Sequence, residues 1–142
     1  MIEQTTLVLK NDVSELERVM SFISSLSVRN ALSPDMEYDL NLALDEVISN
    51  IARHAYRDGQ EHLFTVQITL NEEEIVARIE DDGAAFDPTK HVAPDLNAPL
   101  EERKAGGLGI HLIRQVMDSM EYERVAGKNV LTLSKKRSKE TP

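Results

Sequence analysis

The sequence predicts an α/β (α+β) fold, a two-layer sandwich whose mostly antiparallel mixed sheet carries three helices on one face. Three observations lead there. Several segments alternate apolar and polar residues with the period of a half-buried strand, as Phe64, Val66, Ile68 and Leu70 do against Thr65, Gln67 and Thr69. Three others repeat their apolar residues with the helical period. The order strand, helix, helix, strand, strand, long loop, helix, strand, strand sets strands beside each other in sequence, which favours hairpins over parallel crossovers.

Residues 4–10 (QTTLVLK) form the first strand. Asp12 or Ser14 opens the first helix. Ser14 and Glu17 have capping-box spacing, and Val13, Leu16, Met20, Ile23 and Leu26 supply the apolar stripe. This helix ends near Arg29–Asn30. Ser33 as N-cap, followed by Pro34, starts a long helix that reaches Arg57 and stops at Asp58-Gly59. Its Leu40, Ala43, Leu44, Val47 and Ile51 face the core, while Glu46, Asn50 and His54, four residues apart, form a polar stripe.

Residues 62–70 and 75–81 make a hairpin about the polar turn Asn71-Glu72-Glu73-Glu74. Strand parity turns Ile75, Ala77, Ile79 and hence Asp81 towards the helices, and leaves Thr65, Gln67, Arg78 and Glu80 on the open face. Residues 83–106, with Pro88, Pro94 and Pro99, show no period and read as a functional lid or a disordered stretch with room for one helical turn. Glycines then open a helix whose Ile113, Val116, Met117 and Met120 turn inward. EYERVA and NVLTLSK close the chain as a hairpin about Gly127-Lys128.

Composition narrows the function. With 142 residues, 41% of them hydrophobic, the chain fits one domain over residues 1–136 and a flexible tail at 137–142. A net charge of −9, with KKRSK the only basic block, would repel a polyanion, so direct nucleic-acid binding is not expected. No apolar run approaches the ~20 residues of a membrane span, and no basic leader precedes an apolar stretch. A cytoplasmic location is expected. Cysteine is absent, which removes disulfides, thiolate ligands and a thiol nucleophile, and His62, His91 and His111 lack zinc-ligand spacing.

Three patches carry chemistry. Glu46 and Asn50 put a proton acceptor and oxygen ligands at the edge of a buried helix face, groups suited to a magnesium-dependent site. Asp81-Asp82-Gly83 ends a strand, where a pocketed carboxylate can accept from the amino group of adenine. Gly106, Gly107 and Gly109 open a helix, where backbone N–H groups and the helix dipole favour phosphate. The lysine of a P-loop is missing after these glycines, and no strand precedes them as the dinucleotide fingerprint requires.

In this order, LALDEVISNIARHAY, RIEDDGAAFDP and GGLGIHLIRQVMD make the chain resemble the GHKL superfamily of Bergerat-fold ATPases and kinases, and within it the RsbW-like anti-sigma-factor serine/threonine kinases. The resemblance spans about residues 40–120. It implies ATP and Mg2+, with Asn50 holding the metal, Glu46 as general base, Asp81 and Gly83 at the adenine, and Gly107 and Gly109 bordering the triphosphate. It also places Arg53, Ala85, Phe86, Gly106 and Leu108 at the nucleotide. Lys104 and Arg103 suit phosphate contacts from the lid (residues 84–106), and equally suit solubility. Implied partners are a STAS-type anti-anti-sigma antagonist and a sigma factor, and a homodimer is implied by the resemblance alone. One departure stands out: the pattern D-x-G-x-G has Ala85 at its second glycine, which puts ATP affinity and catalysis in question and leaves as the alternative a non-catalytic or weakly nucleotide-binding partner-switching module that acts by sequestration.

Overall fold

The computed structural model describes residues 2–90 and 107–137. Its strands are β1 (Glu3–Lys10), β2 (Leu63–Leu70), β3 (Glu74–Asp81), β4 (Ser119–Val125) and β5 (Lys128–Lys136). They form one sheet in the order β1-β2-β3-β5-β4, and every pairing among the described residues is antiparallel. The final hairpin therefore docks through its second strand. That inversion sets Asn129, at the start of β5, directly opposite Asp81, at the end of β3.

Helices α1 (Leu16–Asn30), α2 (Pro34–Asn50) and α3 (Gly107–Val116) cover one face. Phe64, Ile68 and Ile79 from the sheet meet Ile23 and Leu26 of α1, Leu40, Leu44 and Ile48 of α2, and Ile113 of α3 in a single core. Burying each such side chain contributes about 1.5–3 kcal/mol. The parity expected of β3 holds: Ile75, Ala77, Ile79 and Asp81 are all buried.

The helix starts and stops differ in instructive ways. Asp12, not Ser14, opens the first helix, accepting the Ser14 N–H at 2.9 Å to cap a 3-10 turn at Val13–Glu15. Glu15 then accepts from the Lys10 amide, and no Ser14–Glu17 capping bond is seen. Val13 and Met20 are exposed (45% and 49%), while Val19 is buried in their place. At helical steps Met20 lies roughly 90° from the mean direction of Val19, Ile23 and Leu26, on the flank of the stripe. At the other end, Arg29 and Asn30 both donate to Glu3, which ties α1 to β1.

Ser33 caps α2 as expected, accepting from Met36 N at 3.1 Å ahead of Pro34. The long helix is not uniform, however. Regular α-geometry stops at Asn50, a π-helical turn follows at Ile51–Ala55, and the chain leaves extended at Tyr56, before Asp58-Gly59 is reached. The Tyr56 hydroxyl donates to Asp82 Oδ1 at 2.7 Å and its ring stacks on His62, contacts that hold the chain to this exit.

The closing hairpin turns one residue earlier than expected. Ala126 and Gly127 both have positive φ (51° and 78°) between the paired Val125 and Lys128, as a two-residue primed turn demands. Met120 belongs to β4 and reaches the core from the sheet, because α3 ends at Val116. Arg137, the first residue of the expected tail, is anchored: its backbone donates to Glu73 O, and its guanidinium to Asn71 O and Asn30 O. Residues 138–142 lie outside the described residues.

Candidate functional site

A cavity of about 330 Å³ opens between the end of α2, the covered face of β3, β5 and β4, the turn after β3, and α3. That is the low end of the range for small-molecule sites. Its apolar walls are Ile79, Leu131, Ile110 and Ile113, and its polar groups include Asn50, His54, Asp81, Tyr122 and Asn129. Phe86, 46% exposed, and Arg57 also border it.

Asp81 is 7% exposed. Its Oδ1 accepts from the Gly83 N–H at 2.9 Å and from Asn129 Nδ2 at 3.0 Å, and neither bond uses Oδ2. Both groups donate to the carboxylate, which can only accept. The cavity thus offers an apolar slot with a carboxylate acceptor, suited to a flat ring bearing an N–H donor.

Gly83 is required for space rather than conformation, since its φ is not positive. A Cβ there would lie 2.5 Å from Ala55 O and 2.7 Å from Ala55 Cβ. The corner is fastened on both sides: Ala84 N–H donates to Ala55 O at 2.8 Å, and Arg124 donates to Gly83 O at 3.0 Å. Ala85 lines the cavity with a backbone that glycine alone is not needed to adopt, because its φ is not positive either. The expected helical turn in the lid segment is a 3-10 turn at Pro88–Lys90, whose Pro88 and Thr89 carbonyls accept from Arg114 of α3.

Glu46 stands outside the cavity lining, one helical turn before Asn50, with its carboxylate against the first turn of α3. A Cβ on Gly109 would lie 2.0 Å from Glu46 Oε2, so only glycine seats α3 here without moving the acid. Partial burial pushes the Glu46 carboxyl above its ordinary value, with the charge of Asp45 adding to the shift and Arg53 opposing it.

The structure therefore gathers Asn50, Asp81, Ala85 and Phe86 around one cavity, with Gly83 behind its corner and Glu46 against Gly109 beside it. Arg53, in the π turn, is exposed and outside the cavity lining, with its charge acting on Glu46, while Arg57 borders the cavity. Gly107 and Leu108 begin α3. Lys104, Arg103 and Gly106 lie outside the described residues. Asn129, Tyr122 and Arg57 went unrecognised in the sequence. For Asn129 the missing signal was the β3–β5 pairing.

Residues 9–135 match the family model of the histidine kinase-like ATPase domain. The chain is 34% identical over 115 residues to the serine/threonine-protein kinase BtrW of Bordetella bronchiseptica, covering 80% of each chain. Identity to the serine-protein kinase RsbW of Listeria monocytogenes is 28% over 113 residues, covering 77% of this chain and 72% of that one. The crystal structure of the RsbU and RsbW domains of a Mycobacterium tuberculosis protein shares the fold, with a TM-score of 0.66 at 13% identity. That likeness covers 95% of this chain and 32% of the other, so the chain spans about a third of that longer protein.

Proposed function

Because the chain belongs to the histidine kinase-like ATPase family, we propose that it is an ATP-dependent serine/threonine kinase and anti-sigma-type regulator. In this reading it phosphorylates a STAS-type antagonist in a bacterial partner-switching system and sequesters a sigma factor. The observation that carries the reading is the pairing of a one-sided acceptor, Asp81, with Asn50 in one cavity, beside a desolvated Glu46 seated on the first turn of a helix.

Asp81 accepts from the amino group of adenine, while Ile79, Leu131 and Phe86 shield the ring from water. Backbone N–H groups at the start of α3, about Gly107 and Gly109, face the phosphates; the family resemblance assigns Gly106 and Lys104, outside the described residues, to the same phosphates. The donor set suits magnesium, a hard cation taking oxygen ligands: the Asn50 amide oxygen would hold it, and when bound it neutralises phosphate charge. Glu46 accepts the proton of the attacking serine or threonine hydroxyl as the new P–O bond forms and ADP departs with the bridging electron pair. Its pKa, raised by partial burial, strengthens it as a base. The working unit is a single domain over residues 1–136, placed in the cytoplasm and able to dimerise.

The test is transfer of labelled γ-phosphate to a STAS-domain protein. Glu46→Gln should lower the rate by roughly 10²–10⁴-fold with nucleotide binding retained. Unchanged transfer would overturn the mechanism. Ala85, the departure from the glycine pattern, is the ground for a second reading, a non-catalytic or weakly nucleotide-binding module that acts by sequestration, although its backbone does not need glycine; no transfer to any antagonist would support it.

A further inference from the structure

Asn129 uses its whole amide. Nδ2 donates to Asp81 Oδ1 at 3.0 Å and to Ala84 O at 2.8 Å, while Oδ1 accepts from Phe86 N–H at 3.2 Å and from the Tyr122 hydroxyl at 2.5 Å. The orientation of the amide follows from its backbone partners alone. A carbonyl can only accept and an N–H can only donate, so Ala84 O must face Nδ2 and Phe86 N–H must face Oδ1. The second Nδ2 proton is thereby aimed at Asp81. One side chain, 6% exposed, thus joins the end of β3, the turn that follows it, and β4. It also brackets Ala85, bonding the carbonyl before it and the amide after it.

We propose that Asn129 is the positioning and base-specificity residue of this site: it holds Asp81 as a one-sided acceptor and clamps the Ala84–Phe86 backbone that walls the cavity. Recognition of the base and seating of the segment leading into the lid then depend on the same amide. The specificity half rests on the nucleotide-binding reading above; the clamp does not. With the clamp in place, a glycine at position 85 is dispensable, because the backbone there is fixed from the side.

Asn129→Asp separates this role from simple packing. The new group is nearly the same size, but when ionised it offers Asp81 Oδ1 and Ala84 O no proton, whereas when protonated it restores one donor. ADP affinity of the full chain would be measured from pH 5.5 to 8.5 and read as the ratio of variant to wild-type dissociation constant. His54 in the π turn, Arg57 just after it, and Tyr122 and Arg124 on β4 also face this region, with Asp82 beside the corner bonded to Tyr56. They are common to both proteins, so the ratio isolates the new carboxyl. It should be smallest at low pH, where one of the two lost donors is restored, and grow by about tenfold per pH unit once the carboxyl pair loses its shared proton. A ratio of one throughout, or a deficit constant with pH, would overturn the specificity role.

The clamp is read without nucleotide, by hydrogen exchange at the Phe86 amide. In Asn129→Ala that amide should exchange at least tenfold faster while the amides within β3 stay protected; unchanged exchange would overturn the clamp. If either variant fails to fold, Tyr122→Phe removes only the hydroxyl donor to Asn129 and should speed Phe86 exchange several-fold, and no change would be equally fatal. Wild-type protein that binds no ADP would overturn the functional reading and the specificity role together, with Phe86 exchange still deciding the clamp.

Discussion

Replacing Gly109 by alanine should separate stability from catalysis. The added Cβ would sit 2.0 Å from Glu46 Oε2 and 2.9 Å from Glu46 Cδ. An ordinary contact is ~3.5 Å, so the carboxylate must move by roughly 1.5 Å. The obstacle is the far end of a flexible side chain, so the fold can absorb the change by rotating Glu46 outward. In partial compensation, alanine in a helix is favoured over glycine by about 0.5–1 kcal/mol. The melting temperature should therefore shift by no more than about 3 °C in either direction. Catalysis has no such freedom: a displacement of about 1 Å at a reacting group can cost on the order of 10²-fold. The assay pairs thermal unfolding with transfer of labelled γ-phosphate to a STAS-domain substrate. A stable Gly109→Ala protein with wild-type transfer would refute the claim that the position of Glu46 matters.

Gly83→Ala meets backbone instead of a side-chain tip, with Ala55 O 2.5 Å from the new Cβ, so it should destabilise by about 1–3 kcal/mol in denaturant titration. Ala126 holds φ 51° in the β4–β5 turn, a conformation asparagine adopts more readily, and Ala126→Asn should raise stability by roughly 0.5–1 kcal/mol. Hydrogen bonds from Asn30 and then Arg29 hold the Glu3 carboxyl below its ordinary value. A lowered carboxylate contributes stability above its unfolded pKa and loses it as pH falls through the folded one. Acid titration of stability should thus show wild type losing more than Glu3→Gln below about pH 4.5, and parallel curves would refute the pairing.

Much of this fold is legible in the sequence because periodicity reports directly on burial. Alternation through β3 fixes which side Asp81 faces, and Ser33-Pro34 marks the start of α2 through chemistry confined to four residues. What escapes is set by distant parts of the chain. Met20 and Val19 compete for one stripe, and only the packing of α1 decides between them. The π turn that ends α2 and leaves Arg57 beside the cavity is followed by Tyr56, whose hydroxyl bonds Asp82, 26 residues on, a contact no local pattern announces. Asn129 reads locally as a turn-flanking polar residue, and becomes a hub only when β5 inserts between β3 and β4. Ala85 breaks the glycine pattern in sequence, yet at its observed φ alanine carries no strain.

The central claim is that Asp81 makes this cavity a site for adenine nucleotides, and thermal unfolding with ATP, ADP and GTP, each with magnesium, tests it most directly. A ligand at about 100 times its dissociation constant adds roughly 2.7 kcal/mol, or about 5–10 °C for a domain of this size. The account predicts that rise with ATP and ADP, little with GTP, and its loss in Asp81→Asn. Equal shifts with GTP, or an undiminished shift in Asp81→Asn, would contradict it.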